Sequence, residues 1–544
     1  MIIERALKAP IYNLRLLLNI KGKKMHYSWD VDRAENHIDK LCDQVKELEI
    51  AKYTRTISLS NIPVNKAYEM DAVHIYVDIL NLDDLLVNEN GNENETSHKR
   101  AIRFFDSHFR TIRYILDESE SLFVDFHNQR LHAVVTKPYD SEKERLDRAI
   151  AISDLIMNAV DQNKKDSNDD YINAATIRIG IDSGVALAVN NGRAKNKEPL
   201  FLGNPANHAA KHAAGDKKGI YLTSNARDVL ELSKVAADKT KITKLTSDEI
   251  KLSVDRTILP NDLCLEAVNE NAPKPKLLKD FQFSRAASPL NDFDFTKYYY
   301  KTAKRQELVS LYADIDGFTN YVSINMNSEE GKKNIVRCLH VIRSEMDDCI
   351  NRDFKGRRVR FIGDCMHAII CEGNTKDTDR LKTVEVSTEA SGGIRSSFNL
   401  SLEKLHEIFG IQTDGLGLAI GYELGDVSNL RVGQEGLDNS TRFSLGISTI
   451  ASETEQMQCE QETETRIGKM AFKVLGGSKY ADLFSDRSAT DITFERIEEV
   501  DSTVDDEAIN ESSIYDHIYS SKSAPSNDEF TPTRPALKPH AQFK

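Results

Sequence analysis

Apolar residues recur at Ile38, Leu41, Val45 and Leu48 among charged neighbours, and this three-to-four spacing predicts an amphipathic helix over residues 31–52. The period then changes. Residues 72–80 (AVHIYVDIL) form a β-branched and aromatic run that predicts the first clear strand, and Leu308 to Ala313 predicts another. Helical spacing returns over 101–116 and over 332–350, where Ile335, Leu339, Ile342 and Met346 share one face. The polar stretches Asn88–Thr96, Asp161–Asp170 and Gly373–Asp379 carry no apolar period and read as loops. Beyond about Val500 the chain is rich in Ser, Asp, Pro and Thr, with too little to bury, which predicts a disordered tail.

The pattern repeats. Ile75-Tyr-Val-Asp-Ile matches Leu311-Tyr-Ala-Asp-Ile, Leu131-His-Ala-Val-Val matches Met366-His-Ala-Ile-Ile, and the pair Gly180/Gly184 matches Gly421/Gly425. Asp78/Asp314, His132/His367 and Gly180/Gly421 stand 236, 235 and 241 positions apart. A nearly constant separation through three distant elements means two copies of one fold. The predicted organisation is a helical segment over 1–69, a first copy over 70–270, a linker over 271–304, a second copy over 305–500 and a tail over 501–544. In each copy a strand ending in a carboxylate is followed by a helix, a strand hairpin, a helix and further strands. That order predicts an α+β sandwich with a helical layer on a sheet.

Length alone (544 residues) allows three or four domains, so the repeat is what reduces the count. The net charge of −14 (72 Lys and Arg against 86 Asp and Glu) argues against a nucleic-acid-coating protein. Phosphate binding stays open, because a metal ion supplies positive charge locally. The longest apolar runs fall far short of the ~18 residues of a membrane helix, and the first 25 residues lack a signal-peptide core. Seven scattered cysteines without CxxC spacing predict reduced thiols and a cytoplasmic location.

Two carboxylates stand out in the second copy. Asp314 ends a strand ahead of Asp316-Gly317, and Asp364 lies in the hairpin Phe361-Ile-Gly-Asp-Cys365. Strand-end carboxylates that converge suit hard cations with oxygen ligands and a phosphate substrate. An Asp in a turn is otherwise common for its backbone hydrogen bonds.

Together, YADIDGFT and RFIGDCMHAII resemble the catalytic domain of class III nucleotidyl cyclases, the adenylate and guanylate cyclase family. The resemblance covers residues from about 70 to 500. It implies two ferredoxin-like, palm-type cyclase domains in tandem, paired as an intramolecular pseudo-heterodimer. It further implies two Mg²⁺ or Mn²⁺ ions on Asp314, Asp364 and the main-chain carbonyl of Ile315. In the first copy Asp78 keeps the first metal position but Gln129 replaces the second carboxylate. That copy instead carries Gly203-Asn-Pro-Ala-Asn207-His-Ala-Ala-Lys211, similar to the family's helix start, in which Asn orients the ribose and Arg stabilises the transferring phosphate. Carried over, these roles fall to Asn207 and Lys211, and Lys lacks the planar fork of Arg. The second copy has Ile450 and Thr454 there, so the halves are complementary and predict one working composite site.

The family's base-reading positions correspond to Asp125 and Leu200, neither of them an adenine reader. Asp125 accepts a hydrogen bond and favours a base that presents N–H. Arg360, beside the metal hairpin, is a candidate contact to the triphosphate. A further resemblance, to the bacterial antiphage pyrimidine cyclases, implies conversion of UTP or CTP into its 3′,5′-cyclic product, which activates a separate effector protein. The alternatives are an adenylate or guanylate cyclase and a non-catalytic nucleotide sensor. A dinucleotide cyclase predicts a GG[DE]EF hairpin, which Phe361–Cys365 is not.

Overall fold

The computed structural model describes residues 25–507 except 89, 167–174, 192–198, 234–242, 261, 272–280 and 434–439. Most of the predicted tail lies outside the described residues.

Two sheets of like topology form the molecule. In the first copy β1 (Glu49–Lys52), β2 (Lys66–Ile79), β3 (Leu122–His127), β4 (Arg130–Val135), β5 (Ile177–Asn190), β6 (Pro199–Leu202) and β7 (Gly219–Leu222) form a sheet. Its order is β3-β4-β2-β5-β6, with β1 and β7 joined in parallel to β2 and β5. In the second copy β8 (Lys304–Asp316), β9 (Arg357–Ile362), β10 (Cys365–Ile370), β11 (Gly417–Gly433) and β12 (Ser440–Leu445) repeat the order β9-β10-β8-β11. There β12 pairs with β11, and β13 (Glu464–Ile467) and β14 (Ser488–Thr490) extend the far edge. The expected α+β class and tandem arrangement are observed.

Each sheet carries helices on both faces. Ahead of the first sheet lies α1 (Val31–Gln44). The first copy adds α2 (Asp83–Leu86), α3 (Glu95–Glu118) and α4 (Glu142–Asp166), and α5 (Asn204–Ala213) lies on the opposite face across β5. After three short helices, α6 (Ser224–Val229), α7 (Ser247–Arg256) and α8 (Leu263–Asn271), the second copy has α9 (Phe318–Asn325), α10 (Glu329–Asp348) and α11 (Arg380–Phe409). Its α12 (Ile447–Met457) crosses β11 as α5 crosses β5. These crossings explain two repeated glycines. A Cβ on Gly180 would overlap the Ala209 carbonyl of α5, and one on Gly421 would overlap Ser452 and Gln456 of α12.

The copies exchange arms. Leu187, Val189, Leu200 and Leu202 of β5 and β6 lie in one hydrophobic core with Leu311, Ile342 and Phe361 of the second copy. Reciprocally, Leu430, Val432, Phe443 and Leu445 join the core of Phe105, Phe126 and Leu131 in the first. This exchange brings the β6–α5 corner of one copy against the β9–β10 hairpin of the other.

The helix expected over 31–52 ends at Gln44, and Glu49–Lys52 pairs with Lys66–Glu69 as a strand. Edge pairing with β2 outweighs the helical period there. The leading segment straddles both copies. Ile38, Leu41 and Val45 sit in the second copy's core, while Arg33 is bonded to Glu345 (2.8 Å) and Asp353 (2.7 Å). Of the loop expected over 161–170, residues 161–166 are helical, the end of α4, and the rest lie outside the described residues. Within the linker, Leu290, Phe293 and Phe295 pack on Leu308 and Val359, so residues 286–298 strap the second sheet.

Candidate active site

A cleft of about 920 Å³, part of it open to solvent, lies where the β6–α5 corner meets the second copy's hairpin. Four of the residues singled out in the sequence line it: Asp125, Leu200 and Asn207 from the first copy and Asp364 from the second. Their convergence follows from the arm exchange. Asn207 lies in the first turn of α5, after Gly203 at φ +140° and Pro205 at the helix start.

Asp364 sits in a two-residue turn whose first position, Gly363, has φ +61°. A glycine suits that left-handed position. Asp314 lies on β8 across from the start of β10, where Met366 pairs with Ala313. Both carboxylates are buried, at 5% and 6% exposure. Burial and the neighbouring negative charge of Asp314 drive the Asp364 carboxyl well above its usual range. Two buried carboxylates that repel each other suit a hard divalent cation, which takes one or two carboxylates and completes its shell with substrate phosphates and water. Among the described residues no group of three or more His, Cys, Asp or Glu side chains stands ready for a metal, so such a cation would depend on substrate oxygens as well.

Ile315 is buried on β8, its main chain in register with Leu418. Lys211 stands one helical turn beyond Asn207, outside the cleft lining, and burial lowers its ammonium pKa.

On the first copy's side of the cleft, burial favours the neutral form of Asp125, but Arg360 and His127 more than offset it and hold the carboxyl below its ordinary value. Arg360 Nη1 donates to Asp125 Oδ1 at 2.7 Å, and the guanidinium also donates to the Phe126 carbonyl and the Thr441 hydroxyl. The structure thus places Arg360 behind Asp125, away from the cleft lining.

Several lining residues escaped sequence reasoning. Tyr76 stacks on His132 with ring centroids 4.2 Å apart, and burial lowers both His132 and its neighbour His74, keeping this wall uncharged at neutral pH. Phe318 and Thr319, the first residues of α9, line the cleft beside Asp364. The preceding Gly317 has φ +78°, and a helix start with free N–H groups attracts phosphate. The string DIDGFT contained that signal.

Elsewhere, all seven cysteines are unpaired, and no described helix is long and apolar enough to cross a membrane.

No protein-family model matches the chain. A uridylate cyclase of Pseudomonas aeruginosa is 46% identical over 455 residues, 82% of this chain and 86% of the relative. A uridylate cyclase of a Rhizobium species is 34% identical over 427 residues, 76% and 80% of the two chains. The crystal structure of a class III adenylyl cyclase-like ATP-binding protein from Pseudomonas aeruginosa superposes with a TM-score of 0.80 at 42% identity. It covers 88% of this chain and 100% of that one. Tandem sheets, a cleft built from both copies and these relatives agree: the chain belongs to the uridylate cyclase family of class III nucleotidyl cyclases.

Proposed function

We propose that the composite cleft converts UTP into 3′,5′-cyclic UMP and pyrophosphate. The observation that carries this reading is the convergence of Asp125, Leu200 and Asn207 on Asp364 across the exchanged arms. Asp125, kept ionised by Arg360, accepts the N3–H of uracil, while Leu200 offers no hydrogen bond to a purine edge. Cytosine presents an acceptor at N3, which repels the carboxylate, so CTP ranks second. The uncharged Tyr76–His132 stack gives the base an aromatic face.

Asn207 orients the ribose so that its 3′-hydroxyl faces the α-phosphorus, and fixed geometry removes much of the entropic barrier. The start of α9 receives the phosphates through main-chain N–H groups. Divalent ions held by Asp314, Asp364 and the Ile315 carbonyl would acidify the 3′-hydroxyl and neutralise the triphosphate. Lys211 supplies charge to the phosphoryl oxygens as pyrophosphate leaves. The product then acts on a separate effector protein in the cytoplasm, in antiphage signalling.

Incubation of the full chain with each of the four nucleoside triphosphates and Mn²⁺, with products resolved by mass spectrometry, tests this. Cyclic UMP should dominate. A predominantly purine cyclic product overturns the base assignment, and no cyclic product from any of the four overturns the site as a whole.

A further inference from the structure

The repeat generates a second position equivalent to the cleft, built from the opposite halves, and its contents differ at each place that matters. Asp78 stands for Asp314, Gln129 for Asp364, Asn128 for Gly363 and Arg130 for Cys365. On α12, Ile450 and Thr454 replace Asn207 and Lys211. Counting from the helix-start glycines Gly203 and Gly446, the cleft-lining Ala210 is replaced by Glu453.

Glu453 is 3% exposed. Its Oε1 accepts from Arg130 Nη1 at 2.8 Å, and its Oε2 accepts from Asn128 Nδ2 at 2.6 Å. Asn128 Nδ2 also lies 3.0 Å from the Tyr312 hydroxyl, which it donates to. Arg130 pairs in register with Asp78 on the adjacent strand, so its guanidinium is flanked by Asp78 on one side and Glu453 on the other. An unmatched buried charge would be costly here, and each of these charges has a partner of opposite sign.

We infer that Glu453 seals the second cleft with the chain's own charges and, by gripping the β3–β4 hairpin, acts as a positioning residue for the working cleft. The Arg130 guanidinium takes the place that cations would hold in the working half, and the Glu453 carboxylate takes the place that an incoming phosphate would hold. The gripped residues, Asn128 and Arg130, are the turn and exit of the hairpin that carries Asp125, and Arg130 and His127 themselves line the working cleft. A carboxylate on the second copy thereby fixes the base-reading edge of the first. The inference rests on the proposed roles of Asp125 and Asp364.

The test is Glu453→Gln in the full chain, followed by hydrogen–deuterium exchange. Exchange in residues 122–135 should rise about tenfold, with residues 357–370 unchanged. In steady state, KM for UTP should rise about tenfold with kcat within about twofold, the split expected when a binding edge loosens but the reacting groups stay in place. Glu453→Asp, which keeps the charge on a shorter stem, should fall between wild type and Glu453→Gln. Equilibrium dialysis of the wild-type chain with a non-cyclisable α,β-methylene analogue of UTP and Mn²⁺ should give one site per chain. Unchanged hairpin exchange, or two analogue sites per wild-type chain, overturns the inference. Exchange needs no nucleotide, so it decides on the grip even if the wild-type chain turned over no triphosphate, the result that would overturn the proposed function instead.

Discussion

Arg360 and Asp125 occupy equivalent positions in the two copies, each opposite its repeated histidine, and they are bonded to each other at 2.7 Å. The internal pseudo-two-fold thus passes beside this pair, and a base-reading position of one copy is held by its counterpart in the other. Asp125→Asn should lower kcat/KM for UTP by about ten- to a hundredfold, the range for losing a hydrogen bond to a charged group. Because the amide also offers N–H to cytosine N3, the UTP-to-CTP preference should fall. Competition assays with both triphosphates read it directly.

Asp364→Asn and Gln129→Ala compare the two hairpin turns. The first should cost about a thousandfold or more in kcat, as several kcal/mol of charge stabilisation is removed. The second should leave most activity in place. Equal losses in initial-rate assays would mean that the assignment of the metal half to the second copy is wrong.

Lys211→Met should lower kcat by about a hundredfold or more, with a smaller change in KM, if its charge serves the transferring phosphate. Lys211→Arg should retain or improve on wild type, since a guanidinium binds two phosphate oxygens in one plane. A Lys211→Met enzyme as active as wild type would remove Lys211 from the mechanism.

Gly180→Ala and Gly421→Ala both introduce a methyl group where a helix touches its strand. Each should cost about 1–3 kcal/mol of stability through overpacking, measured by denaturant unfolding. Gly180→Ala should also reduce kcat below what the folded fraction explains, because α5 carries Asn207, whereas Gly421→Ala displaces α12 with Glu453 and should act mainly on KM. Similar kcat in the two variants would show that the placement of α5 is not limiting.

Arg33 lies against the buried carboxylates of Glu345 and Asp353. Burial lifts the Asp353 pKa from 3.8 to about 6, with Arg33 opposing the rise. Between those values the folded chain binds more protons than the unfolded one, so this group favours folding as pH falls and opposes it as pH rises. Arg33→Met lifts the value further. It should cost about 3–5 kcal/mol near neutral pH, and the deficit should shrink when unfolding is measured at about pH 5.5 rather than about pH 8.

Backbone requirements were the most legible part of the molecule. The strand-end Asp314, the turn glycine Gly363 and the helix-crossing pair Gly180/Gly421 answer to local geometry that recurs in both copies, and so the repeat was visible as a nearly constant separation. Partners that meet only in three dimensions left no local trace. Nothing near Arg360 in the chain announces Asp125, 235 positions away, and nothing near Glu453 announces Arg130. The strap over 286–298 was equally opaque, because Leu290, Phe293 and Phe295 follow neither the helix nor the strand period. Leu48 keeps the helical spacing of α1 after the helix has ended, so burial alone did not reveal where the strand begins.

The arm exchange between two unequal halves has a consequence for tolerance to mutation. In a symmetric pair of identical chains one residue serves at both equivalent places, and any change there is felt twice. Here one chain supplies both halves, so Gly363 and Asn128, or Ala210 and Glu453, each answer to a single environment. Fusion therefore separates two selective pressures that identical subunits must average. One half is free to keep the chemistry, and the other to become the wall against which that chemistry is held.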